Sequence, residues 1–229
     1  MATISVSGSV THRHRAERGV VHLTLGFDGD DRERVVRDSV ALHARVAEEA
    51  TGHRRQGAAT WWSAQGVSVG LVTEPVAGEG GGASSGSAEG ARREPVVRFR
   101  SRSTVDVRFQ DFDVLAAWVT EVAQRDGVAV DWIEWSLSHD RRPEAERAAR
   151  VAAVADAVAR AGDYAEALGL ATPTLQAVWE PGLRPGGTGS GGFGFARAAT
   201  MATGGGDAVF DLSPADIEVT AEISADFTA

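Results

Sequence analysis

The sequence predicts an α+β domain, a mainly antiparallel sheet covered by helices. Three observations lead there: period-2 alternation with one polar and one apolar face, helix-period segments between those strands, and glycine-rich runs that read as loops and not linkers because strands needing partners lie on each side of them. The expected order is strand, strand, helix, strand, strand, helix, strand, helix, strand, strand. All of it falls in one domain over residues 1–229, with long Gly-rich loops at about 76–94 and 181–207.

The first strand alternates Ile4, Val6 and Val10 with Ser5, Ser7 and Ser9, and the second sets Val21, Leu23, Leu25 and Phe27 against His22 and Thr24. A helix over about Asp30–Ala50 carries Val35, Leu42 and Val46 on one stripe. The strands around Val97–Phe109 turn Val97, Phe99, Val105, Val107 and Phe109 inward and Arg98, Arg100, Arg102, Asp106 and Arg108 outward. A second helix starts at Asp111, an N-cap residue type, and carries Leu115, Trp118, Val119 and Val122 before Gly127. The third opens around Asp140-Arg141-Arg142-Pro143-Glu144, where Asp140 is expected to cap, and stops at Gly169.

That third helix shows two stripes. Val151, Val154, Val158, Ala161, Ala165 and Leu168 form the one expected to cover a sheet. Ala148, Ala152, Ala155, Ala159 and Gly162 form a small-residue stripe that permits close approach of another helix. Ile217, Val219, Ala221, Ile223, Ala225 and Phe227 alternate with Glu218, Thr220, Glu222, Ser224 and Asp226 in the last strand. The segments Val20–Val72 and Val97–Leu137 repeat a strand–helix–strand pattern, the form an internal duplication takes.

With these residues in this order, the chain resembles the SIMPL-domain family of bacterial proteins. Ile4-Ser5-Val6-Ser7-Gly8-Ser9 is similar to its V-x-G-x-G opening strand, and Asp111-Phe112-Asp113-Val114-Leu115 to its D-L-D-x-L helix start. Asp131 to Ser138 (DWIEWSLS) resembles its I-x-x-I-x-F-x-L-S-D strand. Ala152 to Leu170 resembles its Ala-rich helix ending in A-x-x-L-G, and Ile217 to Phe227 its closing strand. The resemblance implies an α+β subunit, homo-oligomers that are ring- or channel-like in some members, and a link to envelope or oxidative stress. It supplies no catalytic residues. The chain departs from the family in its Gly-rich insertions and in the basic His12-Arg13-His14-Arg15, where many members carry an acidic or proline-containing turn.

Composition removes several chemistries. There is no Cys, so no thiolate nucleophile, disulfide or cysteine metal site exists. All 23 basic residues are Arg, which excludes a P-loop lysine and Schiff-base catalysis. A formal charge of −9 argues against nucleic acid and anionic membranes as partners. Residues 1–6 enter strand alternation directly, without a basic and then apolar leader, and no window suits a bilayer span, so a cytoplasmic location without membrane insertion is expected.

The remaining motifs are weighed by context. Gly187-Thr188-Gly189-Ser190-Gly191-Gly192 spells a dinucleotide fingerprint and Gly82-Ala83-Ser84-Ser85-Gly86 a nucleophile elbow. Both sit in low-complexity sequence without the strand and helix such motifs require, and read as loops. His12 and His14 share a strand face, but Arg13 and Arg15 oppose a dication, so a solvated basic turn is expected. His43 reads as a boundary residue. No nucleophile is paired with a base, and no catalytic residue, cofactor or metal is expected.

Two surfaces remain. Arg98, Arg100, Arg102 and Arg108 form a candidate anion face. The strand's own aromatics point to the buried side and leave no stacking platform, and Glu218, Glu222 and Asp226 are expected to neutralise the comb across the sheet. Trp61 and Trp62 must face opposite sides of a strand, leaving one exposed. With Ala152, Ala155 and Ala159, and with Phe193 and Phe195 in the second loop, they form a candidate interface. The expected partner is a second copy of the chain; no other protein partner is indicated. The alternative is a small-ligand or anion-binding module using the arginine face and the two loops.

Overall fold

Alternating segments become strands where one face finds cover. The computed structural model describes residues 2–74, 96–184, 199–201 and 212–229. Its elements are β1 (Thr3–His14), β2 (Arg18–Leu25), β3 (Asp28–Gly29), α1 (Arg32–Arg55), β4 (Ala59–Ala64), β5 (Ser68–Glu74), β6 (Val96–Phe109), α2 (Phe112–Val122), β7 (Val128–Ser136), α3 (Arg141–Ala167), β8 (Thr174–Trp179), β9 (Ala199–Met201) and β10 (Ile217–Thr228). The class is α+β, as expected, but the order differs in three places. The strand expected after the first helix is divided into β4 and β5 at Gln65-Gly66-Val67, β3 is too short to show alternation, and β9 lies inside a segment read as loop. The chain forms two compact units: Met1–Gly19, Glu134–Thr200 and Asp211–Ala229 make the first, Val20–Ile133 and Met201–Phe210 the second.

The first unit holds a three-stranded sheet in the order β1-β10-β8, with both pairings antiparallel. Ile4↔Phe227 and Val6↔Ala225 set the register, so the apolar faces of β1 and β10 coincide and are buried under α3. All six inward residues predicted for the last strand are buried.

Of the stripe predicted to cover the sheet, the helix buries Ala161 and Ala165 but not the valines or Leu168. Ala145, Ala149, Ala153, Ala157, Ala161 and Ala165 are buried, an i, i+4 row of alanines, while Val151, Val158 and Leu168 are exposed. Gly8 supplies the reason. A Cβ there would lie 2.1 Å from the Ala153 carbonyl oxygen and 2.7 Å from the Ala157 nitrogen. The helix backbone thus rests against the β1 backbone, at a separation only small side chains permit.

The helix ends differ too. Asp140 occupies the N-cap position but is itself helical and makes no side-chain cap bond. The Arg142 amide instead donates to the Ser138 carbonyl, and the Ser138 hydroxyl and amide both donate to Glu17. At the other end Gly169 (φ 65) closes a Schellman pair, with Gly169 N–H donating to Glu166 and Leu170 N–H to Ala165. The basic segment is the end of β1 rather than a turn, and Arg13 lies opposite Glu218 and bonds it at 3.0 Å.

The second unit contains most of a seven-stranded sheet of order β3-β6-β2-β7-β9, with β4 and β5 also pairing β6 antiparallel. Val21, Leu23 and Leu25 of β2 and Val105, Val107 and Phe109 of β6 are buried. Beneath α1 the inward positions of β6 become Ser101 and Ser103. Ser101 hydrogen-bonds Ser39 and Ser103 bonds His43, so buried hydroxyls are satisfied by the helix above them. His43 is half-buried, the boundary residue its spacing predicts.

Capping by Asp31 and Asp111 is direct, each carboxylate accepting two backbone amides of the following turn. The first helix runs past the predicted end at Ala50 to Arg55 and stops in a Schellman pair at Gly57 (φ 80). Gly127 (φ 79) comes before β7; a Cβ there would meet Phe27 at 2.6 Å.

Candidate functional site

Three places carry the residues of interest, one in the first unit and two in the second. The outer face of α3 comes first. From Ala148 to Gly162 the positions i, i+3, i+4, i+7 read Ala148, Val151, Ala152, Ala155, Val158, Ala159 and Gly162, with no charged side chain among them. Val151 is 64% and Val158 50% exposed, Ala155 and Ala159 are exposed, and Ala152 is half-buried. The helix therefore has two apolar faces, and the sheet covers one. In the same unit, Leu175 and Val178 of β8 are exposed as well.

The second place is the sheet face bearing the even-numbered residues of β6. Arg100 is held by Asp28, which accepts from Nε and Nη2 at 2.8–3.1 Å. This contact and the neighbouring Arg98 charge hold the Asp28 carboxyl below its usual range, against the effect of burial. Arg102 reaches Thr24 at 3.5 Å. Arg108 lies over Trp61 at 5.4 Å and donates to the Thr60 hydroxyl.

The predicted neutralisation by Glu218, Glu222 and Asp226 is not what pairs these arginines. Strand β10 pairs with β1 and β8, so Glu218 takes Arg13 and Asp226 takes Arg184. Of the adjacent tryptophans, Trp61 is the exposed one at 39%, opposite Arg108, and Trp62 is half-buried opposite Val107. Trp132 of β7 stacks on His22 at 4.5 Å, and His22 bonds Asp106 at 2.8 Å. Aromatic surface absent from β6 itself is thus supplied by its neighbours.

The third place was not visible in the sequence. A cavity of about 350 Å³ lies between the last turns of α1 and the length of α2, lined by Glu49, Gly52, His53, Gln56, Val114, Trp118 and Glu121. Arg125 donates to both Glu49 oxygens at 2.8 Å and to Glu121 at 2.6 Å, and the Trp118 indole donates to Glu49 at 3.1 Å. Burial pushes the Glu49 carboxyl up, but the bonds from Arg125 and Trp118 outweigh it and hold the group below the ordinary carboxylate range. The His53 ring meets Phe109 and Trp118 edge-on at 5.4 and 5.6 Å. Burial lowers its pKa against the opposing pull of Glu49 and Glu121. Its Nδ1 has no hydrogen-bond partner among the described residues.

The one available signal was the spacing of Glu49, Gly52, His53 and Gln56, which share a helix face. The predicted end near Ala50 leaves Gly52, His53 and Gln56 outside that helix.

Phe193, Phe195 and both glycine motifs lie outside the described residues. His12 and His14 stand with ring centroids 6.3 Å apart, and among the described residues no group of three or more His, Cys, Asp or Glu is placed to hold a metal ion. Nor, among them, is any helix long and apolar enough to cross a membrane.

Fold and surfaces together define an α+β protein whose prominent features are faces and a cavity. The chain matches the model of the family described as SIMPL, protein of unknown function (DUF541), over residues 4–227, and it belongs to that family. No curated protein matches it.

Proposed function

We propose that the protein acts by self-association, and that the outer face of α3 is where a second copy docks. The observation that carries this reading is the uncharged stripe formed by Ala148, Val151, Ala152, Ala155, Val158, Ala159 and Gly162, with Val151 and Val158 at least half exposed on a helix whose opposite face is already covered. A solvated helix face of this length ordinarily carries charge, as the rest of α3 does with Glu146, Arg147, Arg150, Asp156 and Arg160. Alanines and a glycine beside two valines suit close packing of two like helices, because each residue type finds a complementary one on an identical surface.

The arginine face carries less as an anion site. Asp28 holds Arg100, and Trp61 lies under Arg108.

Light scattering coupled to size-exclusion chromatography tests the proposal. The native chain is expected as a discrete oligomer across a range of concentrations. Ala155→Glu, which places a charge at the centre of the exposed run without touching the buried alanines, is expected to give monomer with an unchanged far-UV circular dichroism spectrum. A native monomer, or an Ala155→Glu oligomer of native size, defeats the reading.

A further inference from the structure

The geometry points to the cavity between α1 and α2 as a binding site for a compact organic ammonium ion with a short apolar body. The cavity is lined from both sides: Glu49, Gly52 and His53 on α1 with Gln56 at its C-cap, and Val114, Trp118 and Glu121 on α2. Its volume, about 350 Å³, falls at the small end of ligand pockets.

Gly52 makes the opening. It lies inside a helix, where glycine is unfavourable relative to alanine, yet its backbone needs no positive φ and a Cβ built there meets nothing within 4 Å. Neither packing nor backbone geometry explains a glycine at this position. The lack of a side chain leaves the space clear.

The charges on the wall select the ligand. Both ionisable acids of the lining are glutamates, and Arg125, which joins them, is only 14% exposed and is not part of the lining. Glu49 is fully engaged: Arg125 bonds both its oxygens, Trp118 adds a donor to one and Arg45 approaches the other at 3.4 Å. Glu121 is 65% exposed, and Arg125 bonds its Oε1. A Glu121 oxygen is therefore the acceptor for an incoming N–H, while Val114 and the edge of Trp118 receive an alkyl body.

A metal ion fits poorly, because the oxygens of Glu49 are occupied by a fixed guanidinium and no three-ligand group forms among the described residues. An anion would meet two carboxylates.

The test is a ¹H–¹⁵N NMR titration with n-butylammonium, with butyrate and n-butanol as probes of the same length. Butylammonium is expected to shift the Trp118 indole N–H and the Gly52 and His53 amides saturably, and the other two probes are not. Glu121→Gln is expected to weaken binding by about tenfold, the loss of one charge-assisted bond. Gly52→Leu, which fills the cavity, is expected to abolish the shifts, whereas Gly52→Ala keeps them. Because Gly52→Ala and Gly52→Leu both favour helix, retained folding separates occlusion from unfolding. No saturable shift with butylammonium, equal shifts with butyrate, or undiminished binding in Gly52→Leu overturns the proposal.

Discussion

Gly8 shows how much of the first unit turns on one missing side chain. In sequence it is one polar-sized residue in an alternating strand, and in the fold it is where β1 and α3 touch backbone to backbone. Gly8→Ala would place a methyl group against the Ala153 carbonyl and the Ala157 amide. Neither is a flexible side-chain end, so the helix must lift. The expected cost is about 1–3 kcal/mol, the range for overpacking a rigid core. Denaturant midpoints of the native and Gly8→Ala proteins measure it, and a change below about 0.5 kcal/mol would mean that α3 does not lie where the fold places it.

At the scale of elements, strands were easier to read than helices. Period 2 assigns each residue to one of two faces, so the inward residues of β10 and β2 followed directly from alternation. A helix rich in alanine offers several stripes of similar hydropathy. The valine stripe looked like the core of α3 because larger apolar groups normally bury first, but the contact is decided by Gly8 on the facing strand, which no periodicity in α3 records. Helix α1 illustrates a second limit. An end near Ala50 leaves the last turn outside the helix, with His53 and most of the cavity's α1 wall.

That last turn gives a pH-dependent prediction. Burial lowers the pKa of His53 in the folded state, so below its ordinary value of 6.5 the unfolded chain binds a proton that the folded chain resists. Stability from this group is complete above that value and is lost as pH falls towards the folded pKa. Glu49, also depressed, adds a loss of the same sign below its ordinary value of 4.5. Melting temperatures of the native protein should therefore fall from about pH 7 to about pH 5, and His53→Phe should flatten that part of the curve while leaving the more acidic limb. Parallel curves for the two proteins would show that His53 is solvated.

For the whole molecule, charge and surface act in opposite directions on self-association. Each chain carries a formal −9, so two copies repel at long range, yet the proposed contact stripe on α3 (Ala148, Val151, Ala152, Ala155, Val158, Ala159 and Gly162) has no charged member. Screening weakens the repulsion and leaves the apolar contact intact, since the Debye length falls from about 30 Å at 0.01 M to about 10 Å at 0.1 M salt. Association through α3 is therefore expected to tighten as sodium chloride rises across that range, read by sedimentation velocity at fixed protein concentration. If the contact were instead made by arginines of the β6 face meeting acidic surface on another copy, the same salt would loosen it. The sign of the salt effect thus distinguishes the two faces without any mutation, and a loosening would move the interface from α3 to the sheet.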